Sequence, residues 1–452
     1  MSTADTLMGR GLRILNRVSA SPLIDRLGLR KPAERLLYLG SKSAFGAIGA
    51  AGRQFAAVQK LARPARLAKA PNRALFDLTP SEEQQMLKEA VLVFASEQLR
   101  PAALAADTAC AAPPELLQQA AELGVALMGI PEALGGAGAE RSAVTNVLVH
   151  EAMAQGDLGL AVACLAPSAV STALVLWGDE GQQAKYLPAF TGDKLPAAAL
   201  AIQEPRALFN PFLLQTTAKP GKRGYLLNGV KSLVPLAATA ELFIIAAMLE
   251  GHGPALFIVE ATARGLKIEA DPAMGLRAAA TGTLSLNNVE LSGDAMLARG
   301  SQDAYAECIA LSRIAWCALA VGCAQACLDL AVAYAKERQA FGGPIGRFQG
   351  LAFQLSDLAV AVENSRNLTY GAAAAKDRGR PFRQAAAMAK LYSTETAVTA
   401  TRVATQVFGG MGFMEESPVA RFYRDAKILE IGEGTSEIQR LVIARGLGLP
   451  VG

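Results

Sequence analysis

The sequence predicts a mostly helical α+β protein, with an N-terminal helical domain, a small β-barrel or sandwich domain and a C-terminal helical bundle. Three observations predict this order. Apolar residues recur at helical spacing after residue 78, short strand-like runs fill residues 196–300, and long apolar stretches at helical spacing return after residue 301. At 452 residues the chain is too long for one core, so two or three domains are expected.

The predicted divisions are a basic N-terminal extension at residues 1–73, a helical domain at 74–195, a β domain at 196–300 and a helical bundle at 301–452. With 52% hydrophobic and 19% charged residues, the composition is typical of a globular enzyme and not of a disordered chain. No run of 18 apolar residues occurs, so no membrane-spanning helix is predicted.

The basic extension differs in charge from the rest of the chain. Residues 1–73 carry fourteen Lys or Arg and three acidic residues, a net charge of +11, while the remainder carries −7. Leu12, Ile14, Leu15 and Val18 lie among arginines and suggest a short basic amphipathic helix. Three hypotheses stay open: a transit-peptide-like segment, an arm that binds an anionic membrane surface or a partner, and a solvated helical cap.

These hypotheses set the expected location. The protein is predicted to be cytoplasmic, with peripheral membrane contact through residues 1–73 as one hypothesis, or to lie in the mitochondrial matrix if that segment includes a transit peptide. No nucleic-acid partner is expected.

Cysteine and histidine usage argues against a metal site. The chain has two histidines and six cysteines, four of which fall in one apolar helical run. Cys323 and Cys327 share a helix face, but no histidine or acid cluster accompanies them. We therefore predict buried free thiols in a reducing compartment, and no zinc site or Cys–His nucleophile.

Local signals place the helices and strands. Thr79 is the predicted cap of a helix with Pro80 in its first turn. Pro167 is expected to break or kink a helix over residues 158–176. Strands are predicted over residues 242–248, 255–259, 282–286 and 289–291. Further helices are predicted over residues 144–155, 304–338, 348–375, 382–406 and 438–445.

Glu433 lies between Gly432 and Gly434 near the C-terminus. The flanking glycines let the backbone approach a ligand without an intervening Cβ. A carboxylate on such a loop, inside an apolar pocket, has a raised pKa and can act as a base. The alternative interpretation is a solvated loop acid, and the surrounding motifs decide between the two.

Several segments, in this order and spacing, resemble the acyl-CoA dehydrogenase family of flavoproteins over residues 78–448. The segments are Leu134-Gly135-Gly136, Gly178-Asp179-Glu180 with Tyr186-Leu187-Pro188, Arg338-Gln339-Ala340-Phe341-Gly342-Gly343-Pro344-Ile345 with Phe348-Gln349, Gln406-Val407-Phe408-Gly409-Gly410-Met411-Gly412-Phe413, and Tyr423-Arg424-Asp425-Ala426 with Glu433-Gly434-Thr435-Ser436. The resemblance implies the predicted fold and an FAD cofactor bound between subunits of a homodimer or homotetramer.

The resemblance also implies which residues contact the cofactor. Arg338 and Phe341 reach the FAD of a neighbouring subunit, with Arg338 at the pyrophosphate. The adenosine end is held by Gln349 and by the loop that contains Gln406, Gly409 and Gly410. Thr435 and Glu437 lie along the cofactor just beyond the base. The planar guanidinium of an arginine can donate two hydrogen bonds to a phosphate group. The structural alternative is that Arg338 caps a helix C-terminus.

The implied reaction is α,β-dehydrogenation of an acyl-CoA or other acyl thioester to the 2-enoyl thioester. Glu433 takes the α-proton while a hydride passes from the β-carbon to the flavin, and an electron-transfer acceptor reoxidises the flavin. The backbone N–H of Glu433 helps to bind the thioester carbonyl, and Arg313 and Gly434 contact the substrate. Some members carry the base one residue before the equivalent of Arg313, which is Ser312 here. The alternatives are a flavin-binding member without turnover and an acyl-thioester oxidase.

Three departures from the family pattern fall near the expected reacting groups. Arg206–Asn210 replaces a small Gly-Ser-Asp step, Leu233–Pro235 replaces the Trp-Ile-Thr that lies against the flavin ring, and Ala310 replaces an acidic residue three positions before Arg313. The first and third bear on the thioester carrier, and the second bears on the flavin wall. Whether they alter or abolish activity is a question for experiment.

Overall fold

The computed structural model describes residues 78–136, 141–192 and 194–450, apart from the side chain of Met128. Within these residues the chain forms helices, then a curled sheet, then further helices, which confirms the predicted fold class. Residues 1–73 lie outside the described residues, so the three hypotheses on the basic extension stay predictions. The predicted domain boundaries also stay predictions.

The N-terminal helices are α1 (Glu82–Phe94), α2 (Arg100–Ala109), α3 (Pro114–Glu122), α4 (Ala143–Gly156), α5 (Leu158–Trp177) and α6 (Glu180–Phe190). A π-helical turn, Ala95–Leu99, joins α1 and α2. The cap of α1 is Ser81 and not Thr79 as predicted. The Ser81 side chain accepts from the backbone N–H of Gln84, whose side chain accepts in return from the N–H of Ser81.

Helix α5 runs through Pro167 without a break, so the predicted break is wrong. Proline lacks an N–H and therefore leaves one carbonyl on the preceding turn without its helical partner. Almost every residue of α5 is buried, including Cys164 and Leu165 just before the proline. Packing on all sides stabilises the helix enough to offset the lost hydrogen bond.

The strands of the middle sheet are β1 (Ala198–Ala201), β2 (Thr217–Pro220), β3 (Gly224–Val234), β4 (Leu242–Leu249), β5 (Gly253–Glu260), β6 (Leu266–Ala270) and β7 (Gly282–Ser292). Their order is β1-β4-β2-β3-β7-β6, and β5 pairs with β4 outside this path. β1 and β2 pair in parallel with successive parts of β4, and the other pairs in this sheet are antiparallel.

Strand β4 shows how the sheet joins the helices. Leu242, Ile244 and Ala246 belong to the apolar cluster that includes residues of α5 and α6. The alternate residues, such as Phe243 and Ile245, belong to the core on the other side of the sheet. Successive side chains of a strand point to opposite faces, so a continuous apolar run is required where both faces are covered.

The C-terminal helices are α7 (Gln302–Glu337), α8 (Gln349–Asp377), α9 (Arg383–Phe408), α10 (Pro418–Ile431) and α11 (Ser436–Gly446). The short strands β8 (Gln339–Ala340) and β9 (Gly343–Pro344) form a hairpin between α7 and α8. Helix α10, which carries Tyr423-Arg424-Asp425-Ala426, was not predicted from the sequence.

Buried charges attach α10 to the start of α5 and to the segment before β7. Arg421 donates from Nε to Oδ2 of Asp157 at 2.7 Å, and both side chains are almost fully buried. Asp157 also caps α5 by accepting from the N–H of Leu160 at 3.0 Å. Asp425 accepts from the N–H of Leu276 at 2.7 Å. Burial, with the nearby charge of Asp157, raises the pKa of Asp425 to about 8.

Two described helices, α5 and α7, are long and apolar enough to cross a membrane by length and composition. The most apolar windows of these helices are 78% and 72% buried inside the fold. Helices in the core of a large folded domain have the same composition. Among the cysteines, all of which are free, five are buried as predicted and Cys110 is exposed.

Candidate active site

Glu433 lies on the tight turn between α10 and α11. Helix α10 ends at Ile431, and both Glu433 (φ 58°) and Gly434 (φ 94°) have left-handed backbone. A Cβ at Gly432 would stand 3.0 Å from Cζ2 of Trp316, so glycine lets the turn approach this ring. A left-handed conformation costs a non-glycine residue of order 1–3 kcal/mol, and such strain concentrates at functional sites.

Two side chains hold the strained turn in place. Arg313 on α7 donates from Nε to the carbonyl of Glu433 at 3.2 Å. Gln439 on α11 donates from Nε2 to the carbonyls of Glu433 and Gly434, each at 3.0 Å. Arg313 is buried, so in this structure it positions the backbone of Glu433. Its predicted contact with the substrate, and that of Gly434, stay predictions.

The Glu433 carboxyl lies among groups with opposing effects on its pKa. Burial raises this pKa above its ordinary value, and it is the largest influence. A hydrogen bond with the Ser312 side chain and the positive charges of Arg313 and Lys390 oppose the rise. Ser312 and Arg313 are neighbours on α7, while Lys390 comes from α9. The net effect is a carboxylate that binds a proton more readily than a solvated glutamate does.

Glu433 forms part of the wall of a cavity of about 350 Å³. The apolar part of the wall comes from α5, α7, α10 and the sheet. Its apolar residues include Val162, Leu165, Ala166, Leu200, Ile202, Leu233, Pro235, Trp316, Leu319, Ile428 and Ile431. Polar side chains are fewer, among them Gln203, Ser232, Thr281 and Ser312. An apolar cleft with a few converging polar groups and a carboxyl of shifted pKa is the usual form of a small-molecule site.

The structure places the three departures at different distances from this cavity. Leu233 and Pro235 form part of its wall, and Leu233 has φ 54° with its N–H donated to Asp271. The segment from Arg206 to Asn210 is a loop beyond Glu204, and Leu208 on it is 94% exposed. Ala310 is buried within α7. Only the change at residues 233–235 therefore alters the cavity wall directly.

Sequence reasoning missed three residues of the site. Ser312 appeared only as the position where an alternative base is absent, yet its side chain bonds the Glu433 carboxyl. Trp316, four residues further along α7, donates from Nε1 to the carbonyl of Leu429 at 3.1 Å. This helical spacing from Ser312 could have indicated both residues. Lys390 is fully buried and donates to the carbonyl of Glu430 at 3.1 Å, a contact that no local pattern reveals.

The predicted cofactor residues form two groups. The first group is next to Glu433: Thr435 caps α11 and Glu437 follows in its exposed first turn. The second group lies where α7 and α9 end and α8 begins, and it contains Arg338, Phe341, Gln349, Gln406, Gly409 and Gly410. Tyr334, four residues before Arg338 on α7, stacks on Phe408, which lies between Gln406 and Gly409, with ring centroids 4.3 Å apart. The ends of α7 and α9 are therefore neighbours.

The two groups are far apart within one chain. Arg313, which contacts Glu433, and Arg338 lie in the same continuous helix or at its end, 25 positions apart. At 1.5 Å per residue this corresponds to roughly 37 Å along α7. Lys390 and Gln406 are likewise separated by roughly 24 Å along α9. Within one chain, the two groups therefore lie at well-separated levels along α7 and α9.

The residues present fit an FAD cofactor. At the cavity, the apolar wall that includes Leu233, Pro235 and Trp316 suits an apolar ring system. In the second group, Arg338 is exposed at the end of α7, and a Cβ built on Gly409 meets no atom within 4 Å. An exposed guanidinium beside open glycine backbone suits a phosphate-containing ligand. Phe341, 89% exposed, also leaves an apolar ring for a partner to cover.

Comparisons with known proteins identify the family to which the fold and the cavity belong. Models of the acyl-CoA dehydrogenase N-terminal, middle and C-terminal domains match residues 81–193, 199–289 and 300–448. The short-chain specific acyl-CoA dehydrogenase of Bos taurus mitochondria is 35% identical over 373 residues, covering 80% of this chain and 89% of the relative.

Solved structures show the same fold. Butyryl-CoA dehydrogenase from Megasphaera elsdenii is similar with a TM-score of 0.77 at 32% identity, covering 82% of this chain and 99% of that one. A structure of PigA with FAD and proline is similar with a TM-score of 0.77 at 29% identity, covering 83% and 100%. Three matched domains in order, a shared fold and a cavity lined by Glu433 together show that this chain belongs to the acyl-CoA dehydrogenase family of FAD-dependent oxidoreductases.

Proposed function

We propose that the protein catalyses FAD-dependent α,β-dehydrogenation of an acyl thioester, most simply an acyl-CoA, to the 2-enoyl thioester. The observation that supports this most is the position of Glu433. Its carboxyl lies at an apolar cavity, on a strained turn held by Arg313 and Gln439, with a pKa raised by burial. A base that removes a weakly acidic proton needs these properties, because a raised pKa increases its affinity for that proton.

In the proposed reaction the residues of this chain handle the proton and the orientation of the acyl group. The Glu433 carboxylate accepts the α-proton, and the backbone N–H of Glu433 donates to the thioester carbonyl as negative charge develops there. Ser312 keeps the carboxylate in place through its hydrogen bond. The apolar wall excludes water from the acyl group. The bound FAD supplies the acceptor for the hydride that leaves the β-carbon.

The distance between the two groups of cofactor residues supports a shared site. We assign the pyrophosphate and adenosine contacts to the second group, from Arg338 to Gly410, on a partner copy. Thr435 and Glu437 contact the cofactor from the chain that carries Glu433. On this proposal the smallest active unit is a homodimer, and a homotetramer contains two such pairs. An electron-transfer acceptor completes the cycle.

The substitution at the cavity wall favours one alternative function. Leu233 and Pro235 provide no side-chain hydroxyl where the family pattern has a threonine. A protein that binds flavin without turnover is the second candidate on this ground. An acyl-thioester oxidase, which passes electrons directly to O₂, differs from the leading proposal only in its acceptor.

Anaerobic titration with a panel of acyl thioesters tests the proposal. We expect at least one acyl-CoA, or its carrier-protein counterpart, to bleach the bound flavin stoichiometrically and to yield the 2-enoyl product. The measurement is flavin absorbance with product analysis by mass spectrometry. Bound flavin that no thioester bleaches would favour the binding protein, and peroxide release in air would identify an oxidase.

The location of the protein follows only in part from its relatives, which include mitochondrial enzymes. We propose, from charge alone, that residues 1–73 bind an anionic membrane surface, to which each basic residue near it contributes about 1 kcal/mol. A truncation that begins near Arg73 should keep its flavin and lose co-sedimentation with anionic liposomes at low salt. Equal sedimentation of both forms would exclude this role.

A further inference from the structure

A second, smaller cavity lies beside the proposed active site. This side chamber has a volume of about 110 Å³ and lies between α4, α5 and α7. Its residues include Arg141, Asn146, His150, Ser168, Thr172, Trp177, Cys308 and Leu311. His150, Ala169, Leu200, Ser312 and Ala315 contribute to both cavities, so single side chains separate them. The volume suits roughly three or four non-hydrogen atoms at about 30 Å³ each.

Ser312 connects the side chamber to the reacting atoms. Its side chain bonds the Glu433 carboxyl and also forms part of the chamber wall. If the α-carbon of the acyl group lies at Glu433, the Ser312 side chain alone separates the reacting atoms from this part of the chamber wall. The rest of the main cavity near this point is apolar, with Leu165, Ala166 and Ala169 on α5. The end of an acyl group can therefore lie either in the apolar main cavity or in the side chamber with its polar residues.

The hydrogen bonding of His150 determines whether its ring presents a donor or an acceptor to a ligand. Nδ1 of His150 lies 2.7 Å from the carbonyl of Asn146, and a carbonyl can only accept, so Nδ1 carries the hydrogen. Burial lowers the pKa of His150 to about 4, so the ring is neutral at physiological pH. In this tautomer Nε2 has no hydrogen and is an acceptor. It makes no hydrogen bond to any residue that the structure describes.

Arg141, which also lines the chamber, carries a hydrogen-bond donor. Its Nε is buried and donates to no group in the described part of the chain. The nearby carboxylates are engaged elsewhere. Asp377 accepts from the hydroxyl of Ser142 and from two backbone N–H groups at the start of α4. Glu307 pairs with Lys376 and accepts from Trp177. A buried donor without a partner destabilises the folded state, and a bound acceptor removes that cost.

We propose that the side chamber binds the far end of the acyl group and selects thioesters that end in a hydroxyl or amide. Such a group can accept from Arg141 and donate to Nε2 of His150, so both unpartnered atoms are satisfied. A methyl end satisfies neither, and a carboxylate accepts from the cationic Arg141 but has no hydrogen to donate to Nε2 of His150. This inference rests on the proposed dehydrogenase function, because it places the α-carbon at Glu433.

The experiment compares three CoA thioesters of similar length on the FAD-loaded enzyme: 4-hydroxybutanoyl-CoA, pentanoyl-CoA and succinyl-CoA. Flavin reduction should favour the hydroxyl over the methyl in kcat/KM by roughly 5- to 100-fold, the effect of satisfying one or two buried groups. Arg141→Met and His150→Phe should each reduce this ratio toward one. Val360→Met, on the exposed face of α8 and outside both cavities, should leave the ratio unchanged.

A binding measurement separates the selectivity of the chamber from the dehydrogenase activity. In a Glu433→Gln background, isothermal titration gives Kd for the same thioesters without turnover, and its hydroxyl-to-methyl preference should match that of kcat/KM. An equal response to hydroxyl and methyl, a ratio unchanged by both chamber variants, or a preference for succinyl-CoA each overturns the inference. If no thioester reduces the flavin but Kd still discriminates, the dehydrogenase proposal fails and the chamber assignment stands.

Discussion

Replacing Glu433 with glutamine should abolish reduction of the flavin by acyl thioesters while FAD stays bound. The amide has nearly the shape of the carboxyl group, but it cannot accept the α-proton. Loss of general-base action typically lowers a rate by about 10² to 10⁴, and by more when no water can substitute. Stopped-flow absorbance under anaerobic conditions measures the rate, and the flavin spectrum of the purified variant measures retention.

A matched control is Glu416→Gln, which removes an exposed loop carboxylate just before α10, at the opposite end of that helix from Glu433. It should reduce its flavin at the wild-type rate. A Glu433→Gln variant that keeps both its flavin and the wild-type rate would assign the base elsewhere.

The assignment of Glu433 as the base also predicts how the rate of flavin reduction changes with pH. Glu433 must be ionised to accept a proton, and burial raises its pKa above that of an ordinary glutamate. The reduction rate should therefore rise with pH through a value above the ordinary carboxyl range and level off beyond it. Substrate analogues that bind without reacting separate this rate effect from any change in affinity.

The sequence predicted local features of the fold well, because their causes are local. Helix periodicity, the start of α1 within two residues, and the continuous apolar run of β4 each depend on neighbours within one element. Helix α10 was missed because its buried face includes Arg421 and Asp425, which interrupt the apolar pattern. Arg421 can be buried only because Asp157, 264 positions earlier, pairs with it.

The candidate site shows the same limit. The glycines around Glu433 indicated a base because a turn with left-handed backbone has a recognisable composition. The side chamber could not be predicted, since Arg141, His150 and Cys308 meet only when α4 and α7 pack together. The tautomer of His150, set by the carbonyl of Asn146, depends on its helix geometry and burial and not on any motif.

Replacing Arg338 with alanine should weaken FAD binding and destabilise the assembly together. Arg338 is exposed at the end of α7, roughly 37 Å along the helix from the level of Arg313, so it can serve only the FAD of a partner copy if the shared-site proposal is right. Hydrogen bonds to charged groups contribute about 1.5–3 kcal/mol, which corresponds to roughly 10- to 100-fold in Kd for FAD. Fluorescence titration of the apoprotein with FAD measures this affinity.

The matched control for Arg338 is Lys336→Ala, which removes one positive charge two positions earlier on the same exposed helix end. If net charge alone attracted the cofactor, both variants would lose affinity equally. If Arg338 binds the pyrophosphate of a shared FAD, only its variant should lose FAD. Because a bound ligand stabilises the folded assembly by mass action, the same variant should then melt at a lower temperature and dissociate at a higher protein concentration. Unchanged FAD content and unchanged melting of the Arg338 variant would remove this residue from the site and, with it, the main support for a cofactor shared between copies.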